Sequence, residues 1–513
     1  MNIYKYKFIV MSIVLSIAMF LSGCSENSWE SSDELVFGTT LSTKSLDPAK
    51  DYNGWFTVRY GIGETLFKLD DHMNVVPNLA EGYENIDDKT WKIKIREGIT
   101  FQNGELMTPD KVKISLERTS ELNQRADDTL KIEYITTDNW NLIVKTREPN
   151  PTLVNDLCDP FASIMDVSGT DDFDNNPVGT GPFKVKQFNP IKSSCLEKYD
   201  YYWQGEPKLD KVKIIHVSDA DTLTMALQTG EIDVAQGIPY SSVNMFEDNP
   251  LYRISGVDTS RVILMYYNYN NPLLNDKILR KAINMSVNKE EYASILLKGS
   301  ASASEGPFPE GMPYGGNSVN SAKYNVSAAK KALSDAGYED TDNDGILEKH
   351  GEKLEFKIVT YSSRAELPII AQAIQSDLKD IGISVSVEIS DNIMDILNNR
   401  KFDIVLYSNV TAATGDPYAY LNNLIISGGA SNYGGYYSEK AEELLKIMEG
   451  EFKKDIRDEL AVNIVQESLN DEGFNFIAHL RMNFIMKSNV VNFDIHGTDY
   501  YQFNWNTDIV NYG

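Results

Sequence analysis

Residues 354–407 read LEFKIVTYSSRAELPIIAQAIQSDLKDIGISVSVEISDNIMDILNNRKFDIVLY. Leu354, Phe356 and Ile358 recur at every second position, the period of a strand with one buried face. Ile370, Ile374 and Leu378 then share one face of a helix, which Gly382 closes. Ile383, Val385, Val387 and Ile389 alternate again, a short helix starts at Asn392, and Phe402 to Tyr407 read as a final buried strand. This strand–helix–strand–helix–strand run predicts a doubly wound α/β lobe. Ligands of such sheets sit just beyond the carboxyl ends of the strands. Residues 409–437, which leave the last strand, are rich in Gly, Asn, Ser, Thr and Tyr, a composition that suits recognition as well as a plain solvated loop. Tyr407, Asn409, Thr411, Thr414 and Tyr433 are therefore candidate ligand contacts.

A second strand–helix–strand unit lies more than 100 residues upstream. Lys211 to Val217 read as a strand, and Asp219 to Thr229 as a helix with Leu223, Ala226 and Leu227 on one face. Gly230 is the stop, and Ile232 to Ala235 begin the next strand. Further back, Trp91 to Arg96 alternate apolar and basic residues as a half-buried strand, and Thr108-Pro109-Asp110 open a helix that runs through Arg118.

The 513 residues, 42% of them hydrophobic, are enough for about two to three domains. A formal net charge of -27 removes the electrostatic basis for nucleic-acid binding. At the start, Lys5 and Lys7 precede an apolar run of 14 residues, Phe8 to Leu21, too short to span a bilayer as a helix but suited to a secretory signal. After Leu35 no apolar run is long enough to span. Leu21-Ser22-Gly23-Cys24 resembles a bacterial lipobox, which implies cleavage of residues 1–23 and lipid attachment at Cys24, with 24–34 as a polar tether; an ordinary signal peptide is the alternative. Only Cys158 and Cys195 then remain, either paired or separate, and without a CxxC pair they support no cysteine zinc site. There is no GxSxG, HExxH or phosphate-loop motif. Asp340, Asp342, Asp344 and Gly345 resemble the opening of an EF-hand loop, but the twelfth position is Gly351 instead of a glutamate, so a Gly-closed turn accounts for them better.

One ordered set of motifs covers nearly all of the mature chain. It comprises Ser45-Leu46-Asp47-Pro48, Val76 to Glu81, Arg96-Glu97-Gly98 with Phe101-Gln102-Asn103-Gly104, and Pro177 to Phe183. Tyr202-Trp203 with Gly205, Ala226 to Asp233, Leu279 to Asn284 and the Asp416-Pro417 loop follow. In this order the motifs resemble the peptide/nickel-type extracellular solute-binding proteins of ABC importers (family 5). The resemblance implies a two-lobed, periplasmic-binding-protein-like fold of type II with an extra domain and a hinged cleft. Lobe I would combine 35–70, 181–262 and 488–513, the extra domain 71–180 and lobe II 263–487. It implies a monomeric, lipid-anchored, extracytoplasmic receptor without enzymatic activity or cofactor, serving an ABC permease and ATPase.

For the ligand, the resemblance points to a nickel or other metal chelate, or to small peptides. In peptide binders of this family, an aspartate four places before the loop proline commonly holds the peptide ammonium; here that position is Ala413. The aromatics of the nickel-type loop would fall at Thr411 and Gly415, its histidine near Gly428-Gly429 and an arginine near Asp159-Pro160-Phe161, and none is present. Tyr52, Asn53 and Trp55 would face the cleft by analogy, and Asp159, in the segment where the family's arginine is expected, is a further candidate contact. Arg125 would pair with a ligand carboxylate or sit at the surface, and Asp416 would meet a cation or cap its own turn. An envelope hydrolase and a sensor without transport are the rival classes.

Overall fold

The computed structural model describes residues 34–493 and 495–510, so Cys24, the signal segment and most of the tether lie outside the described residues. The predicted run at 354–407 forms three parallel strands with helices Glu366–Asp380 and Ile393–Asn398 between them. Ile370, Ile374 and Leu378 are buried, and Gly382 has φ +81°, where a side chain would be strained. The third strand runs three residues further than expected, to Val410.

These strands belong to one large sheet. In chain order it comprises β1 (Glu34–Thr39), β2 (Phe183–Asn189), β3 (Ser193–Lys198), β4 (Lys211–His216), β5 (Val234–Gln236), β6 (Tyr252–Tyr267), β7 (Ala301–Ala303), β8 (Glu355–Thr360), β9 (Ser384–Ile389), β10 (Ile404–Val410) and β11 (Phe474–Lys487). Their spatial order is β9-β8-β10-β6-β11-β5-β1-β4-β3-β2, with β7 on β11. The second predicted unit is β4, helix Ala220–Thr229 and β5, and β1 lies parallel between its two strands. The helix is capped by the Asp219 side chain and stopped by Gly230.

Two long strands join the α/β units. Tyr252 to Asp258 of β6 pair with Lys487 to Arg481 of β11; after a register shift, β6 takes β10 as its second partner from Arg261 onward. Phe484 and Met486 pack with Phe37, so the end of β11 lies in the core of the unit built on β1, β4 and β5. The change of partner thus falls at 258–262 in β6, and the opposite stretch of β11 carries the chain back.

Residues 80–146 build a separate antiparallel sheet of four strands, Ala80–Asp87, Thr90–Ile95, Asn141–Thr146 and Ile132–Asp138 in spatial order. Helix Pro109–Leu122 packs on it, with the Thr108 side chain capping Lys111 N as predicted. The motifs explain how this unit is fastened. Gln102 Nε2 donates to the carbonyls of Ile62 (2.9 Å), Gly181 (3.1 Å) and Phe183 (2.7 Å), while its Oε1 accepts from Gly179 N (3.1 Å). A Cβ on Gly179 would lie 2.1 Å from Ile62 O, so only glycine permits this approach. Asp47 is fully buried and takes both Arg118 nitrogens (2.9 and 2.6 Å). One core cluster runs from this sheet into the unit that contains β8 and β10, and the Trp91 and Phe452 rings lie 6.1 Å apart, tilted, within reach of one another.

Cys158 and Cys195 are not bridged: Cys158 is buried in that cluster, and Cys195 sits on β3. Asp340, Asp342 and Asp344 form a turn with Gly345 at φ +90°; Lys353 Nζ donates to Asp342 (2.7 Å) and to Asp344. No helix among the described residues is long and apolar enough to cross a membrane.

Candidate functional site

The chain leaves β8 toward β9 and returns to β10 on the other side of β8, so the strand order reverses between β8 and β10. That reversal marks the crevice where open α/β sheets take ligands. Tyr361 directly follows β8, and its ring lies 5.2 Å from that of Tyr407 on β10. Tyr433 stands 5.7 Å from Tyr407 and 5.4 Å from Tyr266, completing an aromatic wall. Asn409 and Thr411 tie the end of β10 to β6. Asn409 Nδ2 donates to the Tyr266 hydroxyl (2.6 Å), and Thr411 gives both its amide (2.8 Å) and its hydroxyl (2.9 Å) to Ser260 O.

Arg261 opens the stretch of β6 that pairs with β10, opposite Val410 in the register, and Tyr361 and Tyr407 are among its electrostatic neighbours. It is half-buried, and its guanidinium makes no ion pair or hydrogen bond with any described residue. Burial, and after it the positive charge of Arg364, lower its pKa to about 10. The nearest carboxylate to Arg364 is Glu366, at 3.7 Å. Glu366 is only 4% exposed, and its Oε1 has no hydrogen bond.

A second group of rings gathers residues 52–55, Tyr500 and the helix and loop around Arg125 and Asp159. Tyr52 and Trp55 lie 5.2 Å apart, Trp55 is 6.2 Å from Tyr500, and Trp55 Nε1 is buried without a hydrogen bond. Asn53 is held by the Thr43 hydroxyl (2.9 Å). Arg125 was expected to meet a ligand carboxylate or to lie at the surface; instead its two terminal nitrogens bind both oxygens of Asp159 (2.6 and 3.1 Å). The guanidinium packs over the rings of Tyr52 (4.8 Å) and Phe161 (4.6 Å). Helix Gln124–Leu130 thus delivers an arginine to the Asp159-Pro160-Phe161 segment, where the local sequence has none. Arg59 sits over Trp55 (5.6 Å) and binds the Asp499 carboxylate, which also accepts from Gln502 (2.6 Å) and Gln236 (3.3 Å). Burial raises the pKa of the Asp499 carboxyl, opposed by Arg59 and more weakly by Arg261.

Asp416 binds Arg457 through both oxygens (2.8 and 2.7 Å) and accepts from Tyr418 N (2.8 Å), so it caps its turn and is not available to a ligand cation. Thr414 O accepts from Asn155 Nδ2 (2.9 Å), and Ala413 beside it is half-buried. Buried Asp156 lies near Asp416, and its pKa is pushed up to about 8, chiefly by burial. A cavity of about 470 Å³ walled by Lys68, Tyr202 and Trp505 contains none of these side chains.

Sequence reasoning missed Tyr361, Arg364, Glu366 and Arg261. The first three follow the carboxyl end of β8 as directly as residues 411–417 follow β10, so the same strand-end rule reaches them. Arg261 opens the apolar run 262–267 and carries no periodic signal of its own.

Comparison with known proteins agrees with this architecture. The model of bacterial extracellular solute-binding proteins, family 5, matches residues 74–432. The nickel-binding protein NikA of Staphylococcus aureus is 29% identical over 504 residues, 98% of this chain and 99% of the relative. The oligopeptide-binding protein AppA of Bacillus subtilis is 24% identical over 529 residues, 96% of each. A crystal structure of a nickel ABC transporter protein from Bacillus halodurans superposes with a TM-score of 0.84 at 32% identity, covering 93% of this chain and all of that one. NikA of S. aureus in complex with Ni(L-His)2 gives 0.73 at 28%, covering 93% of this chain and all of that one. The two α/β units are the lobes of such a protein, and the chain belongs to the family 5 bacterial extracellular solute-binding proteins.

Proposed function

We propose that this chain is the extracytoplasmic receptor of an ABC importer, tethered through Cys24, that takes a nickel or other metal chelate between its two lobes. The state of the carboxylates carries the choice of ligand. A peptide ammonium buried in the cleft needs a carboxylate partner, and leaving it unpaired costs several kcal/mol. Ala413 offers none, and Asp159, Asp416 and Asp499 are already bound to Arg125, Arg457 and Arg59. An amine that coordinates a metal is deprotonated, so a chelate makes no such demand. The likeness to NikA and to the B. halodurans nickel transporter protein supports the same reading.

Lobe I (35–70, 181–262, 488–513) and the extra domain (71–180) form one side of the cleft, and lobe II (263–487) the other, with the chain crossing along β6 and β11. Contacts from both sides favour the closed state, and the loaded receptor delivers to the permease and ATPase. The protein works as a monomer without a cofactor. A tether keeps it concentrated beside the permease.

Glu366 favours a second reading, small peptides, because one of its buried oxygens lacks a hydrogen bond and would accept from an ammonium. AppA of B. subtilis, structurally similar here, was crystallised with a nonapeptide. Isothermal titration separates the two. Nickel(II) with excess L-histidine should bind and a pool of tri- to nonapeptides should not. Peptide binding that disappears in Glu366→Gln, with no response to the chelate, moves the assignment to peptides.

A further inference from the structure

Arg261 is a charge without a partner inside this fold. Elsewhere around the cleft each arginine is satisfied: Arg125 by Asp159, Arg59 by Asp499, Arg457 by Asp416. Arg261 has Tyr361 and Tyr407 nearby, the like charge of Arg364 as its strongest electrostatic neighbour, and two carboxylates in its surroundings that belong to others, Glu366 to Arg364 and Asp499 to Arg59. It stands where β6 shifts register and passes from one lobe to the other, at the strand-order reversal that marks the crevice. A half-buried guanidinium without an acceptor is costly to maintain, and its planar fork fits a carboxylate with two parallel hydrogen bonds.

We propose that Arg261, flanked by Arg364, is the acid-recognition corner of the cleft and binds a free carboxylate of the ligand. Tyr361 and Tyr407 form the wall against which the rest of the ligand packs. This inference rests on the cleft being the binding site and deepens that reading: the ligand, chelate or peptide, carries an unblocked acid.

The test compares acid and amide forms of two probes on the purified protein: nickel(II) with L-histidine against nickel(II) with L-histidinamide, and free-acid peptides against the same peptides amidated at the C-terminus. Wild type should bind the acid form about 30-fold or more tightly than the amide. In Arg261→Met that ratio should fall to near one, and in half-exposed Arg364→Gln it should fall by a smaller factor. The unliganded melting temperature of Arg261→Met should equal or exceed that of wild type, because an uncompensated charge has been removed. Should Arg261→Met not fold, Arg364→Gln gives the same test. Equal binding of acid and amide by wild type, an acid preference retained in the variants, or a lowered melting temperature of unliganded Arg261→Met overturns the proposal. Binding of free-acid peptides without chelates leaves the corner standing and defeats the chelate reading; binding of neither probe overturns both.

Discussion

On one wall of the proposed cleft, Arg125 is bonded to both oxygens of Asp159 and packed over Tyr52 and Phe161. On the other, Arg261 stands beside Tyr361 and Tyr407 with no acceptor among the described residues and with Arg364 as a like-charged neighbour. Both arginines lie among aromatic rings, and residue type alone does not separate them. Their partners do. A satisfied arginine holds the wall in shape, whereas an unsatisfied one is kept for something outside the chain. The same contrast divides the acids: Asp416 and Asp159 are each held by short paired hydrogen bonds, whereas Glu366 has only the 3.7 Å ion pair with Arg364 and an oxygen without a hydrogen bond.

The comparison breaks most visibly where a satisfied pair is cut. Arg457 is nearly fully buried on Asp416, so Arg457→Met strands a carboxylate and should cost about 3 kcal/mol or more in chemical denaturation. An unchanged denaturation midpoint would mean that the pair is not a brace. Arg261→Met should behave in the opposite sense, losing about 2 kcal/mol or more of ligand binding while the unliganded protein keeps its stability. Trp55→Phe sharpens the contrast on the first wall. It removes the buried Nε1 donor that has no partner, and if that donor meets the ligand, affinity in calorimetry should fall by about 1 kcal/mol with the melting temperature little changed.

A fourth prediction concerns protons. Burial raises Asp156 to about 8 in the folded chain, so between the ordinary carboxylate pKa and pH 8 the native state holds a proton that the unfolded state has released. Stability contributed through Asp156 should therefore fall as pH rises across that window. Asp156→Asn should flatten the stability profile there, and a profile that keeps its slope would show that another group sets it. Cys24→Ser should leave affinity untouched and shift the protein from the membrane fraction to the medium, as read by fractionation.

The α/β unit at 354–407 was legible in the sequence because its elements obey local rules: period-two strands at 354–358 and 383–389, a helix face at Ile370, Ile374 and Leu378, and Gly382 at a positive φ. The interposition of β1 between β4 and β5 was not, since parallel pairing across such a separation leaves no local trace. Within the site, the strand-end rule led to Tyr407 and Tyr433 but was applied to only one of the two strands flanking the crevice, so Tyr361 and Arg364 were passed over. The roles of Arg125, Asp159 and Asp416 depended on pairings 34 and 41 residues apart, which spacing does not reveal.

The most direct measurement is native mass spectrometry, with metal analysis, of the protein purified from its own host. The account predicts one metal-containing adduct whose released ligand carries a free carboxylate and whose occupancy is lost in Arg261→Met. A ladder of peptide masses with no metal would contradict it.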